Sequence, residues 1–280
     1  MTDDELKRMV RKNYGQIARS GSSCCCPSGC GCGPSCQTAP VHDEISRKLG
    51  YADEDLKAVP AGANLGLGCG NPIALASLQP GETVLDLGSG PGFDCFLAAG
   101  RVGPEGKVIG VDMTAEMLAR ARENAKAGGY SNVEFRLGEI EHLPVADASV
   151  DAIISNCVIN LAPDKAQVFR EAYRVLKPGG RLMISDTVML KPLPEPVRRS
   201  AGAYVGCLAG AIEKQTYIDL VKAAGFADVQ ILEESPVSID CMLNDPAATA
   251  IMEEMQLSPE TVERIGEFIA SVKLTGTKPN

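Results

Sequence analysis

The chain is 280 residues long, 45% hydrophobic and 22% charged, with a formal net charge of −9 and eleven cysteines against two histidines and no tryptophan. These values suit a globular protein with a substantial core, either one large domain or a core domain with a smaller companion. The acidic balance argues against nucleic acid as a partner, because phosphates need clustered Lys and Arg, and the absence of any 18-residue apolar run argues against a membrane span.

Residues 3–20 predict a polar helix that stops before "SGSS". This N-terminal stretch lacks the apolar segment of a secretion signal. The expected location is therefore cytoplasmic, where thiols stay reduced and clustered cysteines read as ligands or redox groups. "CCCPSGCGCGPSC" (24–36) places six cysteines among Gly, Pro and Ser, with no apolar face to bury. Three readings stand for it. One is a zinc or iron–sulfur site, although "CCC" and "CGC" are not the CxxC pairs of structural zinc. The others are a metalloid-capture and redox arm, which is preferred, and a thiol-rich tail with no dedicated role. Residues 42–58 predict a second helix, and "PAGANLGLGCGNP" (60–72) is a Gly-rich loop that holds Cys69.

From residue 80 apolar strands alternate with helical segments. "ETVLDLGSGPG", "KVIGVDMT", "NVEFRLGEIE", "SVDAIISN" and "GGRLMISDTVM" read as five strands. Helices are expected near 93–101, 114–128 and 164–176, the last closed by "KPGG" as a C-cap and turn. The tail predicts a helix at 214–225, a strand at 228–234, and helices near 246–255 and 258–273. Apolar strands joined by helical crossovers imply an α/β, Rossmann-like fold: a doubly wound, mostly parallel sheet. A cysteine-rich N-terminal arm and a small C-terminal α/β extension flank it. The expected division is 1–60 for the N-terminal helices and arm, 61–190 for the core, and 191–280 for a substrate-side extension. Residues 250–257 read as core, Cys241 as incidental, and His42 and His142 as surface or turn residues.

"DLGSGPG" (86–92) follows a strand and opens a helix, the context in which a Gly-rich run becomes a ligand-binding hypothesis rather than a tight turn. Asp112 closes the second strand about 20 residues later, placed to bond ribose hydroxyls. Pro91 removes an amide that a pyrophosphate cradle would need. The loop resembles instead that of class I S-adenosylmethionine-dependent methyltransferases, as do "GEIEHLP" and "RVLKPGGRL". That resemblance spans about residues 60–190. It implies Asp86, Gly88, Ser89 and Gly90 against the methionine portion of the cofactor, Asp112 and Met113 at the ribose and adenine, and Ile140 with Glu141 at the adenine edge. Glu139 competes with Glu141 for that contact. Asn156, at the end of the fourth strand, is a further cofactor candidate.

Three cysteines fall where such a fold opens its cofactor pocket: Cys69 before the first strand, Cys157 after the fourth and Cys207 after the fifth. Each alone reads as a small buried hydrophobe; together they read as a site. No His, Lys or Tyr is comparably placed as a general base, which O- or N-methylation ordinarily needs. Trivalent arsenic fits such a site, being pyramidal, thiophilic and furnished with its own lone pair. "LGLGCGNP", "DLGSGPGFDCF", "SNCVINLAPDK" and "GCLAGA" closely resemble the arsenite S-adenosylmethionine methyltransferases, over most of residues 1–235. The resemblance implies that Cys69, Cys157 and Cys207 bind arsenic(III), taken as arsenite or its glutathione conjugate. It also implies a further N-terminal cysteine acting in turnover, for which Cys36 and Cys32 are the candidates. Disulfide formation would return arsenic to the trivalent state, and thioredoxin or glutathione would serve as the thiol reductant. Cys95 is expected to be structural. The rival readings are a methyltransferase for a small organic acceptor, such as a quinone or sterol precursor, and a non-catalytic metalloid-binding protein.

Overall fold

The structure is a computed structural model and describes residues 1–20, 39–71, 77–236 and 266–280. Residues 24–36, with Cys32 and Cys36, lie outside the described residues, as do Cys241 and the helix expected at 246–255.

The five apolar runs form parallel strands: β1 (Thr83–Leu87), β2 (Lys107–Asp112), β3 (Val133–Leu137), β4 (Val150–Asn156) and β5 (Leu176–Met189). Two antiparallel strands, β6 (Ala227–Pro236) and β7 (Ile269–Thr277), complete a seven-stranded sheet in the order β3-β2-β1-β4-β5-β7-β6. The doubly wound, mostly parallel sheet is the one the strand–helix alternation predicts, and its order is that of the class I methyltransferase fold the resemblance implies. Order reverses between β1 and β4, and the carboxyl ends of these two strands border the crevice where such sheets bind ligands.

The strand period divides the core. In β1, Leu85 and Leu87 are fully buried on one face with Phe169 and Tyr217, whereas Val84 is buried on the other with Phe96 and Leu118. The helices supply the covering layers. Helix α4 (Phe93–Val102) and helix α5 (Ala115–Gly128) cover the second face. On the first face, α6 (Lys165–Val175) buries Val168, Phe169, Ala172 and Val175, one stripe at helical spacing. It starts where Asp164 accepts the amide of Gln167, an N-cap that serves one of the orphan donors. Helix α9 (Lys214–Ala223) packs beside it through Tyr217 and Val221. Among the described residues no helix is long and apolar enough to cross a membrane.

Four local expectations change. The helix expected over 42–58 is two, α2 (Ala39–Lys48) and α3 (Asp53–Ala58), because the chain turns at Gly50 (φ 96°) so that Tyr51 can be buried. His42 is buried in α2 rather than at the surface, and His142 is exposed. "KPGG" does not cap α6. Leu176 takes the C-cap position, and 177–180 enter β5, where Gly179 donates its amide to the Lys278 carbonyl. Residues 269–273, expected at the end of a helix, begin β7 instead. Nine register pairs to β5 and burial of Val272 and Leu274 override the weak local helical pattern. Helix α1 (Asp3–Ser20) forms as expected, and two short helices, α7 (Glu195–Arg199) and α8 (Ala201–Val205), precede Cys207.

Candidate active site

The carboxyl ends of β1, β2 and β4 open into a cavity of about 220 Å³. Its floor is the β1–α4 turn. Gly88 and Ser89 both donate their amides to the Val111 carbonyl, at 2.8 and 3.1 Å, which folds the turn back against β2. At Gly88 (φ 69°) an added Cβ would strike Val158, and at Gly92 (φ 95°) it would meet Phe135 and Phe96, so this turn admits only glycine at both ends. Gly90 by contrast faces open space. Ser89 Oγ is buried with no hydrogen-bond partner among the described residues, a polar atom left for a ligand.

Three carboxylates line the same cavity, and none has a basic partner among the described residues. Among the described residues Asp86 accepts only the Cys95 thiol, at 3.2 Å. Asp94 accepts the Tyr51 hydroxyl at 2.7 Å and the Asn156 amide at 3.2 Å. Asp112 accepts the amides of Gly90 and Thr114, at 3.0 and 2.7 Å. Burial raises all three carboxyls above their ordinary range, Asp94 to about 6, and at Asp86 the charge of Asp94 adds to the effect of burial. A cationic ligand would relieve that cost. The buried hydroxyl, the open loop and the unpaired acids fit a ligand bearing ammonium, sulfonium and ribose groups.

Most of the expected cofactor residues meet here. Asp86, Gly88, Ser89, Gly90, Asp112, Met113, Ile140, Glu141 and Asn156 all line the cavity. Glu139 does not. Its carboxylate turns to Lys7 (2.6 Å) and Arg11 (3.3 Å), which hold it below the usual carboxylate range, while Glu141 keeps a 3.2 Å contact to Lys7 and faces inward. Helix α1 thereby becomes a wall of the site. Lys7, Val10, Tyr14 and Ile17, one face at helical spacing, line the cavity, and the Tyr14 hydroxyl donates to the Val205 carbonyl.

The three cysteines converge on the other side. Cys69 and Cys157 form a disulfide across a sequence separation of 88 residues. The Cys207 thiol donates to the Cys157 carbonyl at 2.9 Å. Cys157 and Cys207 line the cavity, and both take positive φ values, 56° and 60°. That region costs a side-chain-bearing residue about 1–3 kcal/mol and persists only where surrounding contacts enforce it. Here the Cys157 amide donates to the Ser185 carbonyl and the Cys207 amide to that of Tyr204. Cys69 is held from two sides: its amide donates to Asn156 Oδ1 (3.0 Å), and its carbonyl accepts the Ser271 hydroxyl of β7 (2.6 Å). Asp186 is fully buried beside the pair, with a carboxylate oxygen and both sulfurs within 4.8 Å of one another. It accepts from Asn160, the Thr187 amide and Tyr217, and burial raises it to about 6.

Lys7, Tyr14 and Tyr51 do face the cavity, unlike the sequence expectation, yet each is committed. Lys7 is ion-paired, Tyr14 donates to a carbonyl, and burial with Asp94 drives the Tyr51 phenol well above its ordinary pKa. None is a free proton acceptor. Among the described residues the cavity thus offers thiols and acids but no free His, Lys or Tyr to act as a general base.

The comparisons with known proteins agree with this chemistry. A methyltransferase domain model matches residues 78–225. The arsenite methyltransferase of Halobacterium salinarum is 53% identical over 231 residues, covering 81% of this chain and 59% of that protein. The arsenic (III) S-adenosylmethionine methyltransferase from Chlamydomonas reinhardtii superposes with a TM-score of 0.62 at 36% identity, covering 84% of this chain and 73% of that one. The chain belongs to the arsenite S-adenosylmethionine methyltransferase family. The human arsenite methyltransferase is 34% identical, over 85% of this chain and 63% of its own length. The chain therefore spans about three fifths of the curated relatives it matches.

Within this family member, four features of the site escape sequence reasoning. The α1 wall left one signal, the spacing of Val10, Tyr14 and Ile17 in an otherwise polar helix. Tyr51 and Asp94 left none, since each joins the site only through the fold. Ser271 was obscured by the helical reading of its segment. Cys95 is fully buried as expected, although its thiol serves Asp86 rather than packing alone.

Proposed function

We propose that the chain methylates trivalent arsenic with S-adenosylmethionine as methyl donor. The observation that carries this reading is the meeting of Cys69, Cys157 and Cys207 at the edge of an acidic cavity that, among the described residues, has no free His, Lys or Tyr. Arsenite, free or as its glutathione conjugate, exchanges onto the three thiolates, with its oxygens leaving as water or its glutathione as free thiol. Ser89, Gly90, Asp86 and Asp112 hold the cofactor, with Met113, Ile140 and Glu141 at its adenine end and Asn156 beside Asp94. S-adenosylmethionine supplies a methyl group on a cationic sulfur. The acids favour that cation, and the thiolates keep the arsenic lone pair directed at the methyl group, so the chain contributes mainly position and charge.

After transfer arsenic is pentavalent. Two thiolates return it to the trivalent state by giving up two electrons and joining as a disulfide. The Cys69–Cys157 disulfide is compatible with such a step. Thioredoxin or glutathione then reduces it by thiol–disulfide exchange. A cysteine of the N-terminal arm, Cys36 or Cys32, relays electrons in that reset. The role is detoxification of arsenic.

The test is arsenic speciation after incubating the protein with S-adenosylmethionine, arsenite and a thiol reductant. Methylated arsenicals appearing with stoichiometric S-adenosylhomocysteine support the reading. Arsenite binding without cofactor consumption would make the chain a sequestering protein, and methylation of a quinone in place of arsenic would make it an organic-acceptor enzyme.

A further inference from the structure

We propose that Asn156 is a positioning residue that couples the methyl-donor cavity to the Cys69–Cys157 pair. The proposal rests on reading the cavity as the donor site and the two cysteines as the redox pair.

One amide joins the two halves of the site. Asn156 Oδ1 accepts the Cys69 amide at 3.0 Å, and Nδ2 donates to the Gly70 carbonyl at 2.8 Å. The same Nδ2 lies 3.0 Å from the Tyr51 hydroxyl and 3.2 Å from Asp94 Oδ2, and that hydroxyl closes the triangle by donating to Asp94 Oδ1 at 2.7 Å. Tyr51 and Asp94 both line the cavity. Asn156 is also the residue directly before Cys157, at the end of β4. Its backbone therefore carries one sulfur and its side chain grips the loop that carries the other.

The approach is close on both sides of Cys69. A Cβ on Gly68 would stand 2.8 Å from Asn156 Nδ2, and one on Gly70 would overlap Ser185 Oγ, so no side chain can cushion the loop. A cation drawn to Asp94 thus acts on Asn156 through one hydrogen bond, and Asn156 acts on Cys69 through another. Because this network is formed with the disulfide closed, a bound cationic cofactor stabilises the disulfide. Linkage requires the reverse as well: the oxidised chain binds S-adenosylmethionine more tightly than the reduced chain, by the same factor. Methyl transfer removes the sulfonium charge, which relaxes the coupling and leaves the disulfide easier to reduce.

The test is a redox titration of the full chain without arsenic, in buffers of reduced and oxidised dithiothreitol. Each reagent molecule gives two electrons and two protons to break the Cys69–Cys157 bond and closes its own ring disulfide. The fraction oxidised is read by alkylation and mass spectrometry of the two cysteine peptides, with and without saturating S-adenosylmethionine. We expect the cofactor to shift the equilibrium constant toward the disulfide by threefold or more in the unmodified chain. In Asn156→Asp, which keeps the acceptor to Cys69 but replaces the donor facing Asp94, the shift should fall below 1.5-fold (about a factor of two in coupling) at saturating cofactor. If that variant no longer binds the cofactor, Tyr51→Phe decides in its place, and the shift should at least halve. An unmodified chain with no shift, or a deciding variant that keeps it, overturns the proposal. The readout contains no arsenic: a chain that shows the shift yet leaves arsenite unmethylated refutes only the proposed function, and a chain that methylates arsenite without the shift refutes only the coupling.

Discussion

Gly70→Ala would drive a methyl group into Ser185 Oγ, leaving the new Cβ 3.0 Å from Ser185 Cβ. Both residues are buried, so the strain has nowhere to relax except through the Cys69 loop or β5. Overpacking of this kind costs about 1–3 kcal/mol. Ser185 Oγ has no hydrogen-bond partner among the described residues, so Ser185→Ala alone should leave stability unchanged or raise it by about 1 kcal/mol. Combined with Gly70→Ala it should recover about 1–2 kcal/mol of the loss, a positive coupling between neighbours. Function should follow the same cycle. A displacement of the Cys69 loop by about 1 Å would lower arsenite methylation by up to about 100-fold, and Ser185→Ala should restore most of it. Urea unfolding midpoints and initial rates of methylarsenic formation, taken on all four chains, complete the cycle. A neutral Gly70→Ala, or a double variant no better than Gly70→Ala, would show that close packing on Ser185 does not place Cys69.

Three further outcomes are expected. Cys157→Ser and Cys207→Ser, singly or together, should abolish nearly all arsenite methylation while S-adenosylhomocysteine still binds by calorimetry; turnover within a few-fold of normal in the pair would remove arsenic from the thiol site. Lys7→Met leaves Glu141 buried without its cation, a penalty of about 1–3 kcal/mol, and should weaken cofactor binding and loosen α1, seen as faster amide exchange across residues 3–20. Asp186 is held near pH 6 against an ordinary 3.8, so the folded chain keeps its proton longer than the unfolded one. The stability this contributes is complete below about pH 4 and is lost as pH rises through 6, about 3 kcal/mol over the two-unit shift. Denaturant titrations from pH 7 to 4 should therefore show the unmodified chain gaining stability relative to Asp186→Asn, and a gap that is flat or shrinks toward acid would refute the reasoning.

The parallel half of the sheet was legible because its signal is local. Val84, Leu85 and Leu87 alternate between two buried faces, and the glycines of 88–92 sit where backbone geometry demands them. Asp112 was legible for the same reason, since its distance from that turn is set by one helix and one strand. The cysteines were legible only together, each in a separate loop that the sheet brings to one end. What stayed hidden depends on pairing across long separations. β7 forms because β5 offers an unpaired edge, and only then does Ser271 reach the Cys69 carbonyl 202 residues away. The choice between Glu139 and Glu141 likewise turns on Lys7 and Arg11, which enter from α1 with no mark in the intervening sequence.

The electrostatics of the cavity bear on why a methyltransferase site would do without a base. Among the described residues Asp86, Asp94 and Asp112 accept from a thiol, a phenol, amides and an asparagine, and from no Lys or Arg. Leaving them so costs stability, since burial raises each carboxyl and the hydrogen bonds offset it only in part. That arrangement makes sense where the missing cation arrives with the ligand and is consumed by the reaction. A lysine or histidine placed as a general base would compete for the same carboxylates and fill their charge permanently. On the proposed reading arsenic needs no deprotonation, so the acids can remain dedicated to the donor. The two tasks then divide by element: the β1 and β2 termini hold charge, and the β4 terminus with the Cys69 and Cys207 loops holds sulfur. Asn156, at the end of β4, is where the two meet.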